Sequence, residues 1–270
     1  MKIAAPLVSL VLSAACTPPL MPWSDYARLT HPVPYVVRVS GCGGALLYFG
    51  SRHTYDPADP ELGEIDAAWR DFRPTLALNE GGDFRSRGDR DRDVKSAGEA
   101  GLVRYLAAAR SVRVATLEPS AAAEVALLRE RHFTDEQIKT FYVLRQVAEL
   151  PERGKVDAYA AKMLDSFAHT HALPGAPALL AELDAGARRL LPTLADWRQI
   201  DKEWLDPFPD HPHAYTNAVA NVLSSFRDEA MLKTIASALA AHERVLAVAG
   251  ASHVVRQEQR LRAIVTRGCR

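Results

Sequence analysis

Two apolar runs from opposite ends of the chain, Ala45 to Phe49 and Val245 to Ala249, share one pattern. Each stops at a glycine, Gly50 or Gly250, and each delivers a histidine three residues later, His53 in "YFGSRH" and His253 in "AVAGASH". A short apolar run closed by a glycine reads as a buried strand, and a buried strand needs neighbours. The chain supplies them in "TLALNEGG", where Thr75 to Asn79 leads to Glu80, and in "VRVATLEPS", where Val112 to Leu117 leads to Glu118. Leu62, Ile65, Ala68, Trp69 and Phe72 recur at helical spacing before Pro74, and a second amphipathic helix begins at about Ala97. Strand, helix, strand, helix, strand is the order of a parallel sheet with helical crossovers.

The remaining segments fit around that sheet. Tyr35 to Val39 and Ala45 to Phe49, joined by a Gly-rich turn, predict a hairpin. Helical patterns follow over Ser120 to His132, Asp135 to Leu150, Asp157 to His169, Pro177 to Leu191 and Leu194 to Leu205. A loop and a long helical stretch then lead to the last strand, and a helix from Val254 to about Thr266 closes the chain. The expectation is an α/β fold: a mainly parallel sheet with an N-terminal hairpin, flanking helices and an inserted helical subdomain over about 120–243, within one domain spanning 35–270.

Parallel strands would put His53, Glu80, Glu118 and His253 on the C-terminal edge of one sheet, where open α/β folds bind ligands. Burying imidazoles and carboxylates costs several kcal/mol unless they are paired or metal-bound. Gly50 and Gly250 are expected to take positive φ and turn the chain so that each histidine comes back over the edge; Gly81 and Gly82 after Glu80 either do the same or leave room for a ligand near the backbone. Two His and two Glu form a ligand set for Zn, Mn or Co. The same groups also work without metal, with His53 as general base on a water oriented by a glutamate. The residues leave both open, and a histidine taken singly also fits a helix cap or a core. His169 and His171 end a helix and suit its dipole, while His211 and His213 lie in a loop that faces solvent, the alternatives being that they line the site or bind metal.

Formal net charge is zero, which implies no polyanionic partner and no nucleic acid; the run "FRSRGDRDRDVK" alternates Arg with Asp and reads as a solvated surface loop. The N-terminus is apolar from Ile3 to Ala15 after a single lysine, too short to span a bilayer, which takes about 20 residues, and suited to a signal peptide over 1–15. Ser13, Ala14 and Ala15 directly before Cys16 resemble a bacterial lipoprotein signal, implying membrane attachment through a lipidated Cys16 and a Pro-rich tether over 16–34. Cleavage without lipidation, giving a soluble periplasmic protein, and a buried N-terminal helix are the alternatives. Of the other cysteines, Cys42 and Cys269 either bridge in an oxidising compartment or stay free.

Taken in order, the motifs resemble the TraB/GumN/TIKI group, which is distantly similar to erythromycin-esterase-like and ChaN-like proteins. "YFGSRHTYDP", "LALNEGG", "VRVATLEPSAAAEVALL", "FRDEAMLKTI" and "VLAVAGASH" carry the resemblance, from Val36 to about Leu261. Asp228 stands where that group often has Asn, and Asn79 where an aliphatic is common. The resemblance implies a hydrolase-like site, in some members a metal-dependent protease, at His53, Glu80, Glu118, Arg227 and His253. Arg227 would serve as the cation for a carboxylate or a developing oxyanion; the plainer reading is a surface ion pair with Asp228 or Glu229. The resulting expectation is a periplasmic, lipid-anchored, metal-assisted hydrolase of an amide or ester bond in a peptide or small molecule. Its rivals are a non-enzymatic protein that holds a peptide, haem or metal ion in the same cleft, and a structural envelope role that needs neither histidine.

Overall fold

The computed structural model describes residues 18–41, 44–150, 152–175, 177–212 and 214–268. The expected signal, the Cys16 anchor, the Cys42 and Cys269 thiols and His213 lie outside the described residues.

The elements follow in the order α1 (Trp23–Tyr26), β1 (Tyr35–Gly41), β2 (Gly44–Ser51), α2 (Pro60–Phe72), β3 (Leu76–Asn79), α3 (Arg90–Ala109), β4 (Arg113–Thr116), α4 (Ala121–Glu130), α5 (Asp135–Ala148), α6 (Val156–Thr170), α7 (Leu180–Leu190), α8 (Tyr215–Ala240), β5 (Arg244–Gly250) and α9 (Ala251–Gly268). Five strands form one sheet in the order β1-β2-β5-β3-β4. β1 and β2 pair antiparallel, and β2, β5, β3 and β4 run parallel. This is the expected α/β architecture, with the helical segment α4–α7 between β4 and the last strand.

The period-two alternation of strands divides the core. Leu46 and Tyr48 of β2, with Val245 and Ala247 of β5, pack under Met231, Ile235, Val254 and Leu261 of α8 and α9. Leu47 and Phe49, with Leu246 and Val248, pack under Leu62, Trp69, Leu102 and Leu106 of α2 and α3. Both faces of the sheet are covered, so its central strands read as unbroken apolar runs. A third core lies among the helices from α4 onward. Helix α8 joins the two worlds: Val219, Ala220 and Leu223 belong to the helical core, and Met231, Leu232 and Ile235 to the sheet. Arg227 sits between these stretches.

Three segments differ from the sequence pattern. Residues 194–205 form no continuous helix but two 3-10 turns, Trp197–Gln199 and Lys202–Trp204. Asp196 and Asp201 each accept from the backbone N–H two residues on and restart the chain, as short acidic side chains do. Helix α3 starts at Arg90, capped by Asp89, and kinks at Ala97 and Gly98, so part of the Arg/Asp run expected as a loop is helical. Asp93 in that run is buried and accepts from Ser86 Oγ and Arg87 N. The described part of the expected tether packs on the domain. Trp23 is buried, Arg256 lies 4.1 Å over its ring, and Met21 exchanges hydrogen bonds with Arg256.

Candidate active site

The parallel register brings the four strand-end residues to one edge. Gly250 lies opposite Ser51, Asn79 opposite Val248, and Thr116 opposite Asn79. His53 follows β2, Glu80 follows β3, Glu118 follows β4, and His253 lies in the first turn of α9 after β5.

The glycines act differently from the expectation. Gly81 and Gly82 take positive φ, 99° and 87°, but Gly50 and Gly250 do not. Their role is close approach. A Cβ on Gly250 would stand 2.6 Å from His53 Nε2, and one on Gly50 would stand 2.9 Å from both Tyr35 O and Ala251 Cα. The left-handed turn after β2 is made by His53 itself, at φ 66°. Such a conformation in a non-glycine residue is uncommon and collects at functional sites, though histidine tolerates it better than most.

Glu80 is the hub. Its Oε2 accepts from Gly250 N at 2.8 Å, and its Oε1 accepts from Arg227 Nη2 at 2.7 Å and lies 3.5 Å from His253 Nε2. The same Arg227 nitrogen donates to Glu118, whose other oxygen accepts from Gly81 N at 3.1 Å. Arg227 therefore turns inward to bridge the two glutamates and is not the surface ion pair with Asp228 or Glu229. Its Nε is buried with no hydrogen-bond partner among the described residues.

Asp228, fully buried, carries the other half of the site. Its Oδ1 lies 2.6 Å from His253 Nδ1 and accepts from Gln257 Nε2 at 2.7 Å; its Oδ2 pairs with Arg256, which also donates to Ser224 Oγ at 3.1 Å. Sequence reading passed over Asp228 as a departure from a motif. The signal for it was in α9: His253, Arg256 and Gln257 fall at i, i+3 and i+4, one face of a helix, and polar groups on a buried face need a partner. Glu99 was also missed. It accepts from Thr54 N at 2.5 Å and stands 3.6 Å from His53 Nδ1. Asn79, the other departure, accepts from Arg104 Nε at 2.9 Å and donates to Glu80 O and Gly82 O, bracing the loop that carries Glu80.

Burial works against a charged His253, but Glu80 and Asp228 outweigh it and push its pKa up to about 9. Burial likewise works against an ionised Glu80, yet His253 and Arg227 hold its carboxyl well below the usual carboxylate range. His53, its side chain 55% exposed, is raised by Glu99 against the cost of burial.

The expected ligand set of His53, Glu80, Glu118 and His253 reaches one rim without forming a coordination sphere. Among the described residues no group of three or more His, Cys, Asp or Glu is arranged to hold a metal ion. The physical reason is Arg227, whose guanidinium lies between the two carboxylates and supplies the positive charge that a metal would bring. As arranged, these residues do not fit the metal that the family resemblance implies. His169, His171 and His211 stand apart. His169 meets Asp165 O at 2.9 Å, His171 packs on Tyr142 and Phe167, and His211 pairs with Asp206 at 2.6 Å.

Beside the site, a cavity of about 200 Å³ opens between α5, α8, α9 and residues 202–207. Arg227 and His253 line it, together with Arg145 of α5 and an apolar wall that includes Phe141, Leu205 and Leu223. Arg145 is partly buried and makes no side-chain hydrogen bond or ion pair among the described residues. Burial and the like charge of Arg227 hold its pKa below the ordinary arginine value.

Comparison of the chain with protein-family models, curated proteins and solved structures gives no match. The likeness to the TraB group accordingly rests on the motifs alone.

Proposed function

We propose that the chain is a hydrolase of amide or ester bonds that works by acid–base chemistry at His53, with His253 and Arg227 as fixed positive charges. The observation that carries this is the unlike treatment of the two histidines. His253 is buried between Glu80 and Asp228 and stays protonated at neutral pH, which suits it to stabilise an oxyanion and not to accept a proton. His53 is half exposed with Glu99 behind it, which suits it to take a proton from water. In the reaction, water adds to the carbonyl carbon as His53 accepts its proton. The negative charge on the carbonyl oxygen is met by the His253 imidazolium and the nearby positive charge of Arg227. His53 then returns the proton to the leaving amine or alcohol. Pairing two titratable groups whose environments push them apart is how sites divide acid from base work.

The test is turnover of chromogenic p-nitrophenyl esters and peptide p-nitroanilides by the purified protein. His53→Asn, which keeps a residue tolerant of positive φ, is expected to lower kcat by about 10²- to 10⁴-fold and to leave the circular dichroism unchanged. Absence of turnover on every acyl substrate, or full activity in His53→Asn, overturns the reading. The binding alternative is favoured by one observation, the unpartnered Arg227 Nε; under it Glu80→Gln weakens ligand binding with no turnover to lose. Export and lipid attachment belong to the same proposal. Among the described residues no helix is long and apolar enough to cross a membrane. Labelled lipid should enter the wild type through Cys16 and not Cys16→Ser, and an unlabelled wild type would end that part.

A further inference from the structure

We propose that the cavity beside the site is a subsite for a carboxylate carried on an apolar body, gripped by Arg145 together with Arg227. The inference deepens the hydrolase reading and rests on it for the reaction that follows binding. It names the substrate class: an acyl compound or peptide with a free carboxylate near the scissile bond.

Three observations converge. Arg145 is a partly buried guanidinium without a side-chain hydrogen bond or ion pair among the described residues. Arg227, only 7% exposed and lining the same cavity, keeps a buried Nε with no partner. Phe141, Ala148, Leu205, Ala220 and Leu223 supply an apolar wall. A partly buried guanidinium without an anion beside it is unfavourable, and proteins keep such arrangements where a ligand resolves them. Forked guanidinium donors match a carboxylate in shape.

The charges decide between anions. Arg227 is shared by Glu80 and Glu118, His253 by Glu80 and Asp228, and Lys202 pairs with Glu149 at 3.0 Å. Arg145 is the cavity-lining cation of this group with no carboxylate hydrogen-bonded to it, so it is where a ligand's negative charge is received. A dianion such as a phosphate monoester would bring an excess charge against Glu80, Glu118 and Glu149.

The experiment is calorimetric titration of hexanoate, hexanamide and methyl phosphate at matched ionic strength into wild type, Arg145→Gln and His53→Asn. Hexanoate is expected to bind about tenfold or more tightly than hexanamide, the worth of a hydrogen bond to a charged group. Arg145→Gln should erase that preference and leave hexanamide unaffected. Equal binding of the two ligands, no binding by either, a preference that survives in Arg145→Gln, or methyl phosphate binding as tightly as hexanoate each overturns the proposal. If Arg145→Gln fails to fold by circular dichroism, Arg145→Lys decides: loss of the forked donors should weaken hexanoate, and unchanged affinity overturns it. Selective binding in wild type and His53→Asn without turnover by either removes the hydrolase reading alone. Turnover without carboxylate preference removes the subsite alone.

Discussion

Titrating His253 is the sharpest probe of the site. Its pKa lies at about 9 in the fold against an ordinary 6.5. At about 1.4 kcal/mol per pH unit, that gap amounts to about 3 kcal/mol, and the side chain is buried enough, at 7% exposed, for solvent to screen little of it. Because the folded value is the higher one, the stabilisation is complete below pH 6.5 and disappears as pH rises through 9. Glu80 acts the other way at acid pH. Its carboxyl is held below 4.5, so its share is present above that value and is lost as acid protonates it. The two shares describe one attraction and are not summed. The assay is urea unfolding at pH 6, 7.5 and 9.5, followed by circular dichroism, on wild type and His253→Gln, with an NMR titration of the imidazole. Wild type should lose up to about 3 kcal/mol relative to the variant between the first and last pH. Parallel pH profiles of the two proteins, or an imidazole midpoint below 7, would refute the electrostatic account of the site.

Gly250→Ala should displace the His53 ring, since the added Cβ stands 2.6 Å from Nε2; kcat is expected to fall while the secondary structure is kept, and full activity would show that His53 need not sit there. Asp228→Asn leaves Arg256 buried without its anion, and breaking a buried pair costs about 3–5 kcal/mol; a urea midpoint within error of wild type would contradict that role. The pH–rate profile should be bell-shaped, rising as His53 loses its proton and falling near pH 9 as His253 loses its own, and an alkaline plateau past pH 10 would exclude His253 as the charged partner. Activity should survive exhaustive chelation, whereas stoichiometric zinc in the purified protein, lost in His253→Gln, would restore the metal reading.

The positions of His53, Glu80, Glu118 and His253 were determined locally. Each lies just beyond an apolar run, and the alternation of strands and helices made those strands parallel, so their ends had to share an edge. The helical segment was readable for the same reason, because apolar spacing along one helix is a property of that helix. What those residues became there was decided by tertiary contacts. Arg227 entered between Glu80 and Glu118 because α8 spans the helical core and the sheet, and no spacing within α8 reveals which strand ends it meets. Asp228 acquired His253 and Arg256 from α9, and Arg145 was left unpaired because α5 faces a cavity there. Sequence alone thus determined that the four strand-end groups gather, through short-range backbone geometry. Their charge states followed from burial and from neighbours distant along the chain, and those exist only once the layers have packed.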